Sequence, residues 1–182
     1  MWNGKLKSLA IAMALAGCGQ LATPSSQSAR VVPDYSWTRS GVQLRSADAT
    51  LSITLPGWIW AGQPFGCGPA LAVGPKGEII VTSDVVPTLW RIDPQTRAVS
   101  VHALELDADR DRDIGFSTIN YSAKHGAYFA VSQDHGSLWR IDPLLRRAQK
   151  TALSSPLPRG CEWGSWALHV TPDQRFAWVV QK

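Results

Sequence analysis

From residue 41 onward the chain alternates apolar and polar residues in short runs, and turn-forming residues end each run. Alternation with a period of two predicts half-buried β-strands. In the clearest unit the pattern predicts four strands, at residues 70–73, 78–83, 88–92 and 98–104. Glycine, proline and aspartate fill the breaks between them, which is the composition of tight turns. Because no stretch after residue 17 has a helical period, the sequence predicts an all-β fold.

A hexapeptide occurs twice without change and organises the middle of the chain. Leu89–Pro94 reads Leu-Trp-Arg-Ile-Asp-Pro, and Leu138–Pro143 repeats it 49 residues later. The flanking residues also match in character, with Gly77–Asp84 corresponding to Gly126–Asp134. A repeat of about 40–50 residues that holds four short antiparallel strands is typical of β-propeller blades.

The two ends of this region predict parts of a third unit. Gly41–Leu55 has the pattern of the last two strands of a blade, and Ser165–Val180 has that of the first two. We therefore expect about three blades in residues 41–182, whereas known propellers have about four to eight. Three alternatives stay open. Two copies join head to tail into a six-bladed ring, the chain is the truncated front part of a longer propeller, or the sheets form an open structure.

With Gly74–Thr82 leading into Leu89–Pro94, the chain resembles propellers of the NHL and YVTN type. The same pattern appears in SMP-30/gluconolactonase-like and streptogramin-lyase-like propellers. The resemblance implies that the isoleucine and tryptophan of the hexapeptide pack between sheets. Lactonase-type members also hold a divalent metal with acidic and amide side chains. Glu162, Asn120 and Asp134 are suitable residue types, but no motif assigns them, so we predict no metal site.

The N-terminal residues combine a positive start, a short apolar core and small residues before a cysteine. Lys5 and Lys7 supply the charge, and Leu9–Leu15 is shorter than the roughly 20 residues that a bilayer span needs. Leu15–Cys18 reads Leu-Ala-Gly-Cys and resembles the lipobox of bacterial lipoproteins. The resemblance implies cleavage before Cys18, a diacylglycerol on its thiol and fatty acids such as palmitate.

This motif divides the chain and gives it a place in the cell. We expect a signal peptide at residues 1–17, a lipidated tether at 18–40 and a β-propeller repeat domain at 41–182. Gly19 follows the cysteine where an aspartate is associated with retention in the inner membrane. The expected location is therefore the bacterial cell envelope, on the outer membrane and facing the periplasm. A chance tetrapeptide and an ordinary signal peptide are the alternatives.

Charge and motifs exclude several classes of function. The formal charge is +4, and removal of Lys5 and Lys7 with the signal peptide leaves +2. Without a run of lysine and arginine, the chain is not expected to bind nucleic acid. The histidines are scattered, and no motif for a nucleophile, a phosphate loop or paired carboxylates is present. We therefore assign no catalytic residue and no cofactor, and an enzyme is the less favoured interpretation.

Residues 107–113 carry alternating aspartates, a residue type that binds calcium. However, Arg110 and Arg112 neutralise the segment, which also lacks the glycine and the closing glutamate of a calcium loop. A solvated loop is the favoured interpretation.

Two cysteines remain once Cys18 is lipidated. Cys67 and Cys161 each follow a glycine in a segment rich in proline and glycine. In an oxidising compartment, two remaining cysteines favour one disulfide. Two free thiols are the alternative.

Nine tryptophans are a high number for a chain of 182 residues. Trp58 and Trp60 lie beside one cysteine, and Trp163 and Trp166 lie beside the other, in equivalent connections between units. Equivalent connections lie on the same face of a propeller. We therefore expect these side chains to line one end of the channel and bind a ligand. Packing against the disulfide is the alternative.

Taken together, these features predict an envelope-anchored β-propeller lipoprotein that acts as a ligand-binding, protein-binding or scaffolding module. The expected partners are the membrane, through the lipid on Cys18, a ligand or protein, and a second copy that closes a six-bladed ring. The alternatives are a metal-dependent hydrolase or lactonase of the six-bladed type, and a truncated fragment with no function of its own.

Overall fold

Every regular element of the described residues is a β-strand, which confirms the all-β fold class. The computed structural model describes residues 32–61, 67–154, 157, 159–160, 166–171 and 175–180. The predicted signal peptide, Cys18 and most of the predicted tether lie outside these residues. Within them, no helix is long and apolar enough to cross a bilayer.

The first three strands form a separate antiparallel sheet, which we call the N-terminal sheet. They are β1 (Asp34–Thr38), β2 (Gly41–Arg45) and β3 (Thr50–Thr54). The folded region therefore starts earlier than predicted, because β1 lies within the segment 18–40 that was expected to be a tether. Tyr35 and Trp37 explain the difference, since both side chains pack against the core between this sheet and the next one.

Two antiparallel meanders follow, and we call them blade 1 and blade 2. Blade 1 contains β4 (Leu71–Val73), β5 (Ile79–Thr82), β6 (Thr88–Ile92) and β7 (Val99–Ala103). A short strand, β8 (Glu105–Leu106), comes next. Blade 2 contains β9 (Thr118–Ser122), β10 (Ala127–Ser132), β11 (Ser137–Ile141) and β12 (Arg147–Thr151). Both blades match the predicted four-strand unit, and β8 extends blade 2 by pairing parallel with β12.

The last two strands form a hairpin beside blade 2. They are β13 (Trp166–Val170) and β14 (Phe176–Val180), and they pair antiparallel. The sequence predicted that the two ends of the domain form one further unit together. Within the described residues, however, the hairpin and the N-terminal sheet are separate sheets. The described part of the fold is thus a partial propeller, with two complete blades between two incomplete sheets.

Apolar side chains of neighbouring sheets meet in three clusters. Trp90 is 1% exposed between the N-terminal sheet and blade 1, and Trp139 is 0% exposed between the blades. Phe129 and Leu138 of blade 2 pack with Leu168 of β13 in the third cluster. The isoleucine of each hexapeptide is also buried. The repeated tryptophan and isoleucine therefore pack between sheets, as the resemblance implies.

The N-terminal sheet is apolar on one side only. Val42 and Ile53 are 0% and 7% exposed and pack against blade 1. On the opposite side, Gln43 donates a hydrogen bond from Nε2 to Oγ of Ser52 at 3.2 Å, and Arg45 is exposed. A polar outer side is what the terminal unit of a stack of repeats needs for solubility. Among the sheets of the described residues, the N-terminal sheet is therefore the last one on this side.

The strands of all the sheets begin and end at two opposite faces of the molecule, the connection face and the turn face. The connection face carries the connections that follow β3, β7 and β12, together with the turns that follow β1, β5 and β10. The turn face carries the turns that follow β2, β4, β6, β9 and β11. Oγ1 of Thr82 donates to the carbonyl oxygen of Phe116 at 2.6 Å on the connection face. The hydroxyl of Tyr128 donates to Oε1 of Glu78 at 3.2 Å on the turn face. The blades are thus joined by a hydrogen bond at each end.

Candidate functional site

Two consecutive hydroxyl side chains at the end of β5 fix the backbone of the connection face. Oγ1 of Thr82 accepts the N–H of Ala70 at 2.7 Å, in addition to its bond with the carbonyl of Phe116. Oγ of Ser83 donates to the carbonyl oxygen of Ile59 at 2.7 Å. One strand end therefore positions segments from both neighbouring connections.

Asp84, the next residue, lies beneath the connection that precedes blade 1. It is 5% exposed, and its carboxylate accepts the N–H of Ala61 at 3.1 and 3.3 Å and a further backbone N–H from Gly68. Burial raises the pKa of this carboxyl, and the negative charge of Asp134 raises it further. The backbone hydrogen bonds lower the pKa and offset part of the increase. The same carboxylate thus holds two points of one connection.

The connection between the blades passes close to the backbone of Asp84 at Gly115. A Cβ atom at Gly115 would lie 2.0 Å from the carbonyl oxygen of Asp84, so no side chain fits there. The backbone N–H of Phe116 donates to the carbonyl oxygen of Ser83 at 2.6 Å. The connection face is therefore a tightly packed surface in which backbone segments touch directly.

The turn after β10 is the counterpart of the turn that contains Asp84. Asp134 is exposed there, and its Oδ1 lies 3.6 Å from Sγ of Cys67. The carbonyl oxygen of Gln133 accepts the N–H of Gly160 at 3.0 Å. His135 donates from Nε2 to the carbonyl oxygen of Asp113 at 2.8 Å. This one turn therefore contacts three different connections.

The predicted disulfide involves residues beside this turn. Cys67 is half-buried next to Asp134. Cys161 lies outside the described residues, but the preceding Gly160 is bonded to Gln133 of the same turn. The disulfide stays a prediction.

The four tryptophans predicted to bind a ligand have different surroundings. Trp58 stacks on Trp37 with ring centroids 5.5 Å apart, meets Trp90 edge-on at 5.0 Å and donates from Nε1 to a backbone carbonyl. Trp58 therefore packs against two other tryptophans of the core between the N-terminal sheet and blade 1. Trp60 is half-buried and follows Ile59, which is 50% exposed.

The other two predicted ligand-binding residues belong to the connection after blade 2. Trp163 lies outside the described residues, and Trp166 begins β13, but its side chain is not among those described. Ligand binding by Trp58, Trp60, Trp163 and Trp166 stays a prediction.

The aspartate-rich segment 107–113 is fastened to blade 2. Oδ1 of Asp107 accepts the backbone N–H of Lys150 at 2.9 Å, and the Lys150 ammonium binds the carboxylate of Asp109. That hydrogen bond from Lys150 is the main reason why the pKa of Asp109 is lowered. Arg110 donates from Nε to the carbonyl oxygen of Leu106 at 2.6 Å. The segment therefore makes specific contacts with the fold, beyond the solvated loop that the sequence favoured.

Two of the three residues named as suitable types for a metal site are described, and they have different partners. Asn120 donates its side-chain amide to the carbonyl of Leu168, Asp134 lies beside Cys67, and Glu162 is outside the described residues. Among the described residues, no group of three His, Cys, Asp or Glu side chains is placed to hold a metal ion.

Sequence reasoning did not single out Asp84. A signal was present, because the flanks of both hexapeptides contain an aspartate after the strand, Asp84 in one and Asp134 in the other, although the period of 49 residues matches Asp84 with Gln133. Aspartate after a strand is also an ordinary turn residue, so the alignment alone did not distinguish a buried carboxylate from an exposed one.

Comparisons with known proteins give two structural matches. No family model matches the chain, and no curated protein matches it. A virginiamycin B lyase from Staphylococcus aureus is 13% identical with a TM-score of 0.49, over 78% of this chain and 48% of that one. A streptogramin B lyase is 14% identical with a TM-score of 0.49, over 89% of this chain and 57% of that one. The chain thus spans about half of the length of each solved structure. The activities in those names belong to those proteins.

Proposed function

We propose that the chain is an exported bacterial lipoprotein, anchored in the outer membrane through Cys18, whose propeller blades bind a ligand or protein partner at the connection face. The anchor is supported by Lys5 and Lys7, by the short apolar core and by Leu15–Cys18. The following fold contributes a compact module with its own buried clusters. A lipid on Cys18 would hold this module at the membrane surface.

The observation that carries the binding proposal is the mixture of exposed groups on a rigid backbone. Ile59 is 50% exposed, Trp60 is half-buried beside it, and Asp134 presents a carboxylate. Ser83 fixes the carbonyl of Ile59, and Asp84 fixes the N–H of Ala61, so the segment between them is held from both sides. Apolar and aromatic surface with a few oriented polar groups is characteristic of binding sites.

The disulfide between Cys67 and Cys161 is part of this proposal. Cys67 lies beside Asp134, and Gly160 is bonded to Gln133, so the two cysteine-containing connections approach one turn of blade 2. A bond between the cysteines would tie the connection before blade 1 to the connection after blade 2. The connection face would then be cross-linked across its middle.

Membrane fractionation tests the anchor. The full chain, expressed in a Gram-negative host, is expected in the outer-membrane fraction. Cys18→Ala removes the thiol that accepts the lipid, so this variant should lose that association, whereas Ser26→Ala in the tether should keep it. Equal membrane association of the wild type and Cys18→Ala would contradict a lipid anchor at this residue.

Site-specific photo-crosslinking tests the binding face. A photoreactive phenylalanine analogue replaces Ile59, which is 50% exposed, or Val101, which is 48% exposed on β7. We expect a discrete crosslinked product from position 59 only, because Val101 lies on the outer strand of blade 1. The same products from both positions, or none from position 59, would contradict binding at the connection face.

A metal-dependent hydrolase or lactonase is the second candidate, and one observation favours it. The negative charge of Asp134 is close enough to Asp84 to contribute to the raised pKa of the Asp84 carboxyl. Elemental analysis of the purified protein distinguishes the candidates. A divalent metal in stoichiometric amount that is lost in Asp134→Asn would support the enzyme, and a metal-free protein would support the binding module.

A further inference from the structure

The turn face exposes a long cationic side chain on each turn within the two complete blades. Lys76 follows β4, Arg97 follows β6, Lys124 follows β9 and Arg146 follows β11, and all four are exposed. Among the described residues, Lys76, Arg97 and Arg146 belong to none of the ion pairs. Four separate turns therefore present cations to the same side of the molecule.

The acidic residues of the same turns are directed toward their own backbone. Asp93 accepts the N–H groups of Gln95 and Thr96 at 2.9 and 2.8 Å. Asp142 accepts three N–H groups of its own turn, at 2.8, 2.9 and 2.5 Å. Since lysine and arginine side chains are longer than aspartate, the cations extend farther from the turns than these carboxylates do.

Four further acidic residues lie at this face: Asp34, Asp48, Glu78 and Glu105. Glu105 donates its backbone N–H to the carbonyl oxygen of Arg146 at 2.8 Å, and its carboxylate forms an ion pair with Arg147 at 3.0 Å. Glu78 is 7% exposed and accepts the N–H of Lys76 at 2.7 Å as well as the hydroxyl of Tyr128. Asp48 is exposed on the turn after β2, away from the blades. Apart from the exposed ion pair between Glu105 and Arg147, the side chains that extend farthest over the two blades are therefore cationic.

An exposed apolar side chain accompanies these cations. Leu144 is 62% exposed in the turn after β11, two residues before Arg146. The neighbouring Leu145 is buried and has a positive φ of 57°, so the turn directs one leucine inward and the other to solvent. An apolar side chain beside cations suits the interface of a membrane, where headgroup and acyl regions meet.

The chain enters the fold at the same face. Asp34 begins β1 at the end of the N-terminal sheet where β2 turns into β3, and it pairs with Arg45 there. Residues 19–33 separate it from Cys18. Fully extended, fifteen residues span at most about 50 Å, which keeps the turn face within reach of the bilayer.

We propose that the turn face rests on anionic phospholipid headgroups, through Lys76, Arg97, Lys124 and Arg146 and with Leu144 at the acyl boundary. This inference rests on the proposed lipid anchor. Contact at the turn face leaves the connection face, with Ile59 and Asp134, pointing away from the membrane and accessible to a partner. Each cation near an anionic surface is expected to favour the contact about fivefold.

Hydrogen exchange of the lipidated full chain in vesicles tests the proposal. We expect slower exchange at the turns 93–98 and 142–146 in vesicles that contain phosphatidylglycerol than in vesicles of phosphatidylcholine alone. The turn 133–136 on the connection face should exchange equally in both. Arg97→Gln with Arg146→Gln should reduce the lipid-dependent protection about 25-fold, at about fivefold per cation. The matched double variant Arg39→Gln with Arg112→Gln alters the connection face and should leave protection unchanged.

Two results would overturn the proposal. One is equal exchange at the turns 93–98 and 142–146 in both vesicle types, and the other is protection confined to the turn 133–136. The mass of the purified protein shows separately whether Cys18 carries lipid. If it does not, the anchor fails, and flotation of the same chain with the two vesicle types tests the surface directly. Flotation with phosphatidylglycerol then supports the turn face as a lipid contact, and its absence refutes it.

Discussion

Thr82, Ser83 and Asp84 show how three consecutive side chains hold a surface that has little regular structure. Each of them bonds to the backbone of a connection, and together they reach Ile59, Ala61, Ala70 and Phe116 at the distances given above. A buried polar group that loses its partner costs more than the bond contributes, so such a network is sensitive to single changes. Predictions at the residue scale therefore concern Asp84.

Asp84→Asn is expected to lower the free energy of unfolding by about 1–3 kcal/mol at neutral pH. The amide nitrogen of asparagine is a donor, and it would face N–H groups that now meet a carboxylate oxygen. Urea denaturation followed by circular dichroism measures the change. Asp134→Asn, at an exposed aspartate in the corresponding turn of blade 2, should change stability by no more than about 0.5 kcal/mol. An equal loss in both variants would contradict a special role of the buried carboxylate.

The raised pKa of Asp84 gives a dependence on pH with a definite sign. Because burial raises the folded-state pKa above the ordinary value of 3.8, the folded protein binds this proton more tightly than the unfolded chain does. The contribution of Asp84 to the free energy of unfolding therefore decreases as pH rises from 3.8 through the folded-state pKa. The stability difference between wild type and Asp84→Asn should be larger at the acidic end of this range. A difference that grows as pH rises would contradict the direction of the shift.

At the scale of elements, the N-terminal sheet differs most from expectation. The hexapeptides allowed blade 1 and blade 2 to be predicted, because an exact repeat with turn residues at fixed offsets defines strand positions. The sequence of β1 matches no part of the repeated units and follows a polar segment, so it did not distinguish a strand from a tether. The position of β1 in the fold depends on contacts between residues distant in sequence, such as Trp37 and Trp58. The pattern of apolar and polar residues within one strand gives no information about such contacts.

Trp37→Ala tests whether β1 belongs to the folded domain. Trp37 stacks on Trp58 and lies 5.0 Å from the ring of Tyr35, so its removal should cost about 1–3 kcal/mol of unfolding free energy. Ser36→Ala, on the polar side of the same strand, should cost at most about 0.5 kcal/mol. Thermal or urea denaturation measures both. A negligible effect of Trp37→Ala would favour the tether interpretation of residues 34–38.

At the scale of the whole molecule, the predicted disulfide links distant parts of the chain. A bond between Cys67 and Cys161 closes a long loop and is expected to contribute about 2–4 kcal/mol. Cys161→Ser should therefore lower the denaturation midpoint under oxidising conditions and bring it to the value of the reduced wild type. Peptide mapping without reduction identifies the linked peptides. A wild type whose stability is unchanged by reductant would contradict the bond.

Head-to-tail pairing of two copies also belongs to this scale, and it stays a prediction. The fourth strand of blade 1, β7, leads into the connection before blade 2, and β3 leads in the same way into the connection before blade 1. β3 therefore corresponds to the fourth strand of a blade, and β1 corresponds to the second. β14 is a second strand too, so β1 and the β14 of another copy would compete for one position beside β2. Trp37→Ala should therefore raise the dimer fraction measured by light scattering, and Ser36→Ala should not. A monomer under all conditions would contradict the six-bladed ring.

The intact mass of the protein purified from membranes tests the central claim, that the propeller module is anchored by a lipid on Cys18. The account predicts a chain that begins at Cys18 and exceeds the mass of residues 18–182 by a diacylglycerol and a further fatty acid. A fragment spectrum that assigns the added mass to the N-terminal cysteine would complete the result. A chain without added mass, or one that still begins at Met1, would contradict the anchor and with it the proposed place of the protein in the cell.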